Sequence, residues 1–233
     1  MAVCTATFEA GVNGNTITTA GGEGSATPWD AVDVSGGTIK YDNTHSYGLL
    51  SSNFVSAGNP AAAVLSWSTA FGTQTDHYGR LYLWMNSNPT GASLRLLTTN
   101  PIWIAVRLTT AGILSIQPFN GGGVDLTNAI SLGQWVRIEW HMIQSTTVGQ
   151  VEIKLFNNAN SSTPTETQAT AANLDTGANV TGIDIGSGSG ASTTATFWLD
   201  NIVAGATSYP GPASTPAPDV LSMQSHVFGH GVW

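Results

Sequence analysis

The sequence predicts an all-β protein whose strands form a two-sheet sandwich or a barrel. Only 9% of the 233 residues are charged, and Gly, Ser and Thr are abundant where a helical bundle would use Ala, Leu, Glu and Lys. Short runs of β-branched and aromatic residues recur about every 10 to 15 positions, with Gly, Asn, Ser and Pro clusters between them. The sequence contains no internal repeat of fixed period, which disfavours a propeller or a solenoid.

The predicted strands follow the chain in order, and each is rich in β-branched, aliphatic or aromatic residues. They cover residues 6–10, 37–41, 47–54, 62–68, 77–85, 102–109, 112–119, 135–143, 150–156, 181–186 and 195–204. Turn residues separate them, as at Asn13-Gly14-Asn15, Thr110-Ala111-Gly112 and Gly121-Gly122-Gly123.

Composition limits the size, the cofactors and the partners of this domain. A chain of this length reads as one all-β domain, and 41% hydrophobic residues with 8 Trp supply a sizeable core. The single cysteine, Cys4, cannot form an internal disulfide, and the chain has no Cys/His spacing for zinc. The net charge of −8 argues against a phosphate-binding surface, so nucleic acid is not an expected partner.

The start of the chain lacks a basic segment followed by an apolar run, which a signal peptide requires. No stretch approaches the roughly 18 continuous apolar residues of a membrane span. We therefore expect a protein made in the host cytoplasm without a signal peptide and without membrane insertion. An extracellular role would need another export route, such as lysis of the host cell.

The composition changes after Ala204, where residues 209–218 contain four prolines. We predict a sandwich domain over 1–206, a Pro-rich linker over 207–219 and a C-terminal docking tail over 220–233. The tail is too short to bury its own apolar side chains, so an extended arm that docks on a partner is expected. The docking residues are Val227, Phe228, Val232 and Trp233. Alternatively, the tail folds back and covers one edge of the sandwich.

Three predicted strands have one aliphatic face and one face of aromatic and charged residues, because side chains alternate along a strand. The aliphatic faces hold Leu81, Leu83 and Met85; Ile102, Ile104, Val106 and Leu108; and Val136, Ile138, Trp140 and Met142. The opposite faces hold Tyr78, Arg80, Tyr82 and Trp84; Trp103 and Arg107; and Trp135, Arg137, Glu139 and His141. If these strands share a sheet, three of the four arginines lie on one surface.

A surface of this kind suits sugar rings, since a pyranose stacks on an aromatic ring while guanidinium and carboxylate groups bind its hydroxyls or acidic substituents. The alternative is a covered face, in which Arg137 pairs with Glu139 or Arg107 beneath loops or a neighbouring subunit. Glu139 is the one carboxylate on this predicted face, so a two-carboxylate glycosidase mechanism is not supported. A Gly-x-Ser-x-Gly nucleophile elbow is also absent from the sequence.

Three segments resemble a concanavalin A-like, laminin-G-like jelly roll. They are Thr7-Phe8-Glu9-Ala10-Gly11; residues 133–140 with residues 151–156; and Phe197-Trp198-Leu199-Asp200-Asn201-Ile202-Val203. The resemblance spans residues 5 to 205 and implies a two-sheet antiparallel sandwich with an extended C-terminal tail. Similar modules that open with Phe-Glu-x-Gly and lack a signal peptide occur in virion proteins of bacteriophages, especially those of actinobacteria.

The resemblance implies a non-enzymatic virion structural protein, either a minor tail protein or a decoration of the capsid surface. Its aromatic face would bind a cell-surface glycan during host attachment, and its tail would bind other virion proteins. A homo-oligomer is also compatible with this interpretation. The alternatives are a polysaccharide lyase or glycoside hydrolase of the same fold, or a free lectin. In a lyase, Arg137 would neutralise a uronate carboxylate while His141 or Tyr82 moved the proton.

The enzymatic motifs of related families are missing. The Glu-x-Asp-x-x-Glu strand of laminarinase-like members is absent, and His141-Met142-Ile143-Gln144 does not match the Gln-Ile-His or Gln-Val-His triplet of alginate-lyase-like members. No cofactor is required by this interpretation. Family members often hold a structural calcium between the first and last strands, and Glu9 and Asp200 occupy the matching places. Oxygen ligands suit Ca²⁺, although carboxylates at strand ends are also common surface features.

Overall fold

The computed structural model describes residues 2–19, 27–49, 51–57, 62–187 and 193–214. This part of the chain contains sixteen strands and no helix, which confirms the all-β prediction. The strands are β1 Cys4–Ala6, β2 Ala31–Asp33, β3 Gly37–Asp42, β4 Ser51–Ala57, β5 Ala63–Trp67, β6 Asp76–Met85, β7 Thr90–Gly91, β8 Leu94–Asn100, β9 Ile104–Leu108, β10 Ile113–Pro118, β11 Val124–Ala129, β12 Trp135–Ile143, β13 Gln150–Phe156, β14 Glu166–Ala169, β15 Gly182–Ser187 and β16 Thr193–Ala206.

The strands form two antiparallel sheets that pack face to face, as the jelly-roll prediction requires. Sheet A has the order β14-β13-β12-β6-β16-β4-β3, and β1 and β7 also pair with β16. Sheet B has the order β11-β10-β9-β8-β15-β5-β2. Within the described ranges no helix is long and apolar enough to cross a bilayer.

The core lies between the sheets and contains most of the predicted aliphatic faces. Leu81, Leu83 and Met85 of β6 are fully buried, as are their counterparts on β12. Each such side chain stabilises the fold by about 1.5 to 3 kcal/mol relative to exposure. Ile102 is an exception at 53% exposed, because β9 begins only at Ile104 and the alternation does not extend back to it.

The prediction of one shared aromatic surface is wrong for Trp103 and Arg107. Strands β6 and β12 are direct neighbours in sheet A, whereas β9 belongs to sheet B. Alternation assigns a side chain to a face of its own strand but does not say which sheet the strand joins. Two arginines, Arg80 and Arg137, therefore share the outer face of sheet A.

Residues 207–214, which we call the strap, follow β16 and lie on the outer face of sheet A. The strap is the first part of the segment predicted as a linker, and it packs on the domain rather than leading away from it. The rest of the predicted linker and the predicted tail, with Val227, Phe228, Val232 and Trp233, lie outside the described residues.

Candidate functional site

Three tryptophans lie side by side across the outer face of sheet A. Trp198 of β16 is the register partner of Trp84 of β6, and Trp84 is the register partner of Trp135 of β12. We call these three residues the tryptophan row. Trp198 is buried, while Trp84 and Trp135 are half-buried at the surface.

The loop between β3 and β4 packs on this row. His45 stacks on Trp84 with ring centroids 4.7 Å apart and meets Trp198 edge-on at 4.3 Å. The Trp84 indole donates a 3.0 Å hydrogen bond to Asn86 Oδ1. The row is thus bordered by an imidazole and an amide, which are polar groups suited to sugar hydroxyls.

Tyr47 continues the aromatic surface. Residues 47–49 were predicted as strand, but they form a loop because the Tyr47 N–H donates to Asp200 Oδ2 at 3.0 Å. The Tyr47 ring lies 4.3 Å from Tyr82 and meets Trp135 edge-on at 6.1 Å. Its hydroxyl hydrogen-bonds with Asn160. Burial raises the pKa of Tyr47, which keeps the phenol neutral.

Arg137 and Glu139 form a buried ion pair beneath the loop after β13. Arg137 Nε lies 3.0 Å from Glu139 Oε1, although the two are not aligned as a hydrogen bond. The guanidinium also donates to the carbonyl oxygens of Ala159 and Ser161 and lies 3.7 Å above the Phe156 ring. Burial raises the pKa of Glu139, while the positive charge of Arg137 opposes this shift.

The strap covers the middle of the same face. Arg80 Nη1 donates to the Gly211 carbonyl oxygen at 2.6 Å, and Arg80 Nε donates to the Asn201 carbonyl oxygen at 3.2 Å. The fully buried Tyr82 accepts a 2.7 Å hydrogen bond from the Ala213 N–H at its hydroxyl oxygen. Burial lowers the pKa of Arg80 from its ordinary value.

A second aromatic cluster lies at the other end of β6. His141 stacks on Tyr78 with centroids 3.9 Å apart, and its Nε2 lies 2.8 Å from Asp76 Oδ1. Tyr209 of the strap meets Tyr78 edge-on at 4.9 Å and hydrogen-bonds to Glu152. The His141 side chain is 21% exposed, so it is the most accessible ionisable group of the predicted lyase set.

The structure brings together eight of the ten predicted site residues on the outer face of sheet A. They are Tyr78, Arg80, Tyr82, Trp84, Trp135, Arg137, Glu139 and His141. Arg137 and Glu139 are covered, as in the alternative interpretation of this face, whereas Trp84 and Trp135 are partly exposed. Trp103 and Arg107 lie on the outer face of sheet B instead.

Sequence reasoning missed the residues that cover this face. His45, Tyr47, Asn160 and Tyr209 lie in loops or in the strap, where strand alternation carries no information. Trp198 lies within a predicted strand, and the same alternation applied to residues 195–204 separates it from its buried neighbours Phe197 and Leu199.

Glu9 and Asp200 lie at one end of sheet A near the β3–β4 loop. Asp200 is fully buried, and its carboxylate accepts hydrogen bonds from the N–H groups of Tyr47 and Asn201 at 3.0 and 2.6 Å. Glu9 Oε2 accepts the Leu49 N–H at 2.8 Å. Burial raises the pKa of Asp200 well above its usual value. Among the described residues, no three His, Cys, Asp or Glu side chains form a group that could hold a metal ion.

Comparison with known proteins places the fold among carbohydrate-active jelly rolls. No known family profile and no curated protein matches the sequence. An endo-β-1,4-glucuronan lyase from the fungus Trichoderma reesei superposes with a TM-score of 0.58 at 12% identity, covering 87% of this chain and 100% of its own. Cellulose-induced protein Cip1 superposes with a TM-score of 0.55 at 16% identity, and the alignment covers 90% of this chain and 99% of Cip1.

A third similar structure is domain 4 of AbnA, an extracellular arabinanase from Geobacillus stearothermophilus, in complex with arabinotriose. Its TM-score is 0.50 at 12% identity, and the alignment covers 88% of this chain and 94% of that domain. At these identities the likeness shows the fold alone. The chain therefore shares the jelly-roll sandwich fold of these structures, and the fold by itself does not define what the chain binds.

Proposed function

We propose that this protein is a non-enzymatic glycan-binding domain whose site is centred on Trp84 and Trp135. The observation that carries the proposal is the pair of half-buried indoles on neighbouring strands, bordered by His45 and by the amide groups of Asn86 and Asn160. An indole stacks on the apolar side of a pyranose, and amides bind its hydroxyls. This site is smaller than the face predicted from sequence.

The buried charges serve as a scaffold in this proposal. Arg137 holds the backbone of Ala159 and Ser161, next to the Asn160 amide that contacts Tyr47. Arg80 holds the strap on the middle of the sheet. Side chains locked by packing and hydrogen bonds keep a binding site in one geometry. The network thus fixes the border of the tryptophan row without contacting the sugar.

The positions of the lyase candidates favour binding over catalysis. A lyase needs a group that neutralises the uronate carboxylate and a proton-transfer group that face the same substrate. The Arg137 Nη atoms donate to backbone carbonyls, and the Tyr82 hydroxyl accepts the Ala213 N–H. His141 lies at the opposite end of β6 from Trp84 and pairs with Asp76. These residues do not converge on one open surface.

The experiment is a binding screen with neutral and acidic polysaccharides, followed by measurements on Trp84→Ala and Trp135→Ala. Each variant should weaken binding of the retained glycan about fivefold or more, since an aromatic contact contributes roughly 1 kcal/mol. Val148→Ala, a substitution of an exposed side chain between β12 and β13, is the matched control. Melting temperatures report whether each variant folds.

Unchanged binding in both folded tryptophan variants would exclude the tryptophan row as the site. Release of reducing ends or of an unsaturated, ultraviolet-absorbing product would show an enzyme instead. An unsaturated product whose formation is lost in His141→Ala would identify a lyase.

We further propose that the protein belongs to a bacteriophage particle, where a glycan site would serve host attachment. The support comes from the sequence alone. One element is the opening Phe8-Glu9-Ala10-Gly11; the other is the set of apolar residues in the 220–233 segment, which we propose to contact other virion proteins. A protein inventory of purified virions tests this proposal. Absence of the protein from particles whose genome encodes it would contradict it.

We also propose that Glu9 and Asp200, with nearby backbone oxygens, bind a structural calcium ion. The support is that the charge of Glu9 acts on the buried Asp200 and that, in the described ranges, no Lys or Arg forms an ion pair with Asp200. Calcium should raise the melting temperature of the native protein relative to EDTA. The increase should vanish in Asp200→Asn; equal melting temperatures with and without calcium in the native protein would refute the site.

A further inference from the structure

A groove crosses the outer face of sheet B, on the opposite side of the sandwich from the tryptophan row. It consists of three depressions of about 190, 160 and 570 Å³. Ile102 lines the first and the second, while Gln117, Pro118 and Phe119 line the second and the third. Ile102 and Phe119 are 53% and 73% exposed, so the groove has apolar side chains at its surface. We call this surface the sheet-B groove.

Two arginines lie side by side in this groove. Arg95 of β8 and Arg107 of β9 are direct register partners in an antiparallel pair, so their side chains share one face. Arg95 lines the first depression and Arg107 lines the second. Like charges directly opposite each other on neighbouring strands destabilise a sheet. Their juxtaposition is notable in a chain with only 6 Lys and Arg residues.

The described residues supply no counter-charge that contacts this pair. Neither Arg95 nor Arg107 takes part in an ion pair there, and the buried Nε of Arg107 has no hydrogen-bond partner. Asp33 and Asp184 line the first depression and Asp125 lines the third, but none of them pairs with the arginines. A buried donor without a partner destabilises the fold, and an anionic acceptor would supply the missing partner.

Aromatic and polar groups adjoin the arginines. Trp103 lines the second depression beside Arg107 and meets Phe119 edge-on at 6.4 Å. The backbone of Gly177 packs against the indole, since a Cβ atom there would lie 2.5 Å from the ring. This contact fixes the orientation of Trp103. Gln117 adds an amide, and Ser66 adds a hydroxyl.

We propose that the sheet-B groove binds an acidic oligosaccharide. Arg95 and Arg107 together would hold one carboxylate or sulfate group, because guanidinium groups bind such planar or multi-oxygen anions through paired hydrogen bonds. The adjoining sugar ring would pack on Trp103 and Phe119, with Gln117 near its hydroxyls. An elongated groove with aromatic side chains and amides favours a sugar chain over a lone anion. This site is separate from the tryptophan row.

The test compares binding of four probes to the full chain: oligogalacturonate, a heparin oligosaccharide, a neutral cello-oligosaccharide and poly-glutamate. One or both acidic saccharides should bind in a manner that depends on Arg95 and Arg107, whereas any binding of the neutral saccharide should not depend on these arginines. The first two probes distinguish a carboxylate from a sulfate group. Arg95→Gln and Arg107→Gln should each weaken this binding about tenfold or more, as expected when a charge-assisted hydrogen bond is lost.

Two control variants separate this site from other sources of binding. Lys40→Gln removes an exposed cation from sheet A, and Val148→Ala alters an exposed apolar side chain outside both sites; both should bind the acidic saccharide like the native protein. Either arginine variant should keep the native melting temperature or exceed it, because like-charge repulsion is removed. Equal loss of binding in Lys40→Gln, unchanged binding of the acidic saccharides in both arginine variants, or binding of poly-glutamate alone would overturn the proposal.

Discussion

Arg80 of β6 donates a 2.6 Å hydrogen bond from Nη1 to the backbone carbonyl oxygen of Gly211 in the strap. The contact joins the centre of sheet A to a segment 131 residues later in the chain. Ala213 adds a hydrogen bond to the Tyr82 hydroxyl, and the Tyr209 ring lies 3.5 Å from Lys154 Nζ. The strap therefore belongs to the folded domain, and its removal would leave Arg80 without one acceptor.

Two truncations should have different effects on stability. Deleting residues 207–233 should lower the free energy of unfolding by about 2 kcal/mol or more beyond the effect of deleting residues 215–233, because buried polar groups lose their partners in the strap. The sequence predicted residues 207–219 as a linker outside the sandwich domain, which would make the longer deletion nearly neutral for stability; the contacts of the strap predict a loss instead. Urea unfolding of both truncated proteins measures the difference, and equal midpoints would contradict the structural role of the strap.

Breaking the Arg137–Glu139 pair from one side should be more costly than replacing both residues. Arg137→Met leaves Glu139 buried without its cation, which costs about 3 to 5 kcal/mol. Arg137→Met combined with Glu139→Leu removes both charges and should recover part of that loss. A double-mutant cycle by chemical denaturation measures the coupling. Additive losses would show that the two side chains act independently.

The period of two in the sequence correctly predicted the inward faces of β6 and β12, because burial of alternate aliphatic side chains decides which side of a strand faces the core. It predicted that Tyr78, Arg80, Tyr82 and Trp84 share the opposite face. It did not assign β9 to a sheet, because strand order depends on contacts between distant segments. Trp103 and Arg107 were therefore placed on the wrong surface.

The sequence pattern also could not predict that the strap covers part of the site. Proline in the strap predicted an extended conformation, and an extended segment serves equally as a linker or as a cover. The contacts that decide between them are two hydrogen bonds: Arg80 donates to the Gly211 carbonyl oxygen, and the Tyr82 hydroxyl oxygen accepts the Ala213 N–H. Backbone N–H and C=O groups have no residue signature, so sequence inspection does not reveal these contacts.

Gly79 of β6 should not tolerate a side chain. A Cβ atom at this position would lie 2.0 Å from the Trp140 ring and 2.6 Å from the Val203 carbonyl oxygen. Overpacking of this kind costs about 1 to 3 kcal/mol, so Gly79→Ala should lower the melting temperature. Trp140→Leu should be less harmful in the Gly79→Ala background than in the native protein, since the smaller side chain leaves room for the methyl group. Identical effects in both backgrounds would contradict the contact.

His77 should make the fold sensitive to acid. This residue of β6 is fully buried, its two ring nitrogens have no hydrogen-bond partner, and Phe71 packs edge-on at 5.2 Å. Burial lowers the pKa of His77 to about 4, although the negative charge of Asp76 opposes the shift. The imidazole is therefore neutral in the folded protein at pH values where the unfolded chain already binds a proton.

The direction of the pH effect follows from this difference. Above the ordinary pKa of 6.5, His77 is neutral in both states and does not affect the pH dependence. Between pH 6.5 and about 4, only the unfolded chain takes up the proton, so His77 should lower the free energy of unfolding by up to about 3 kcal/mol. His77→Leu should lose this dependence, whereas His141→Leu should keep it. Urea unfolding at several pH values measures the slopes, and parallel curves for the native protein and His77→Leu would rule out His77 as the acid-sensitive group.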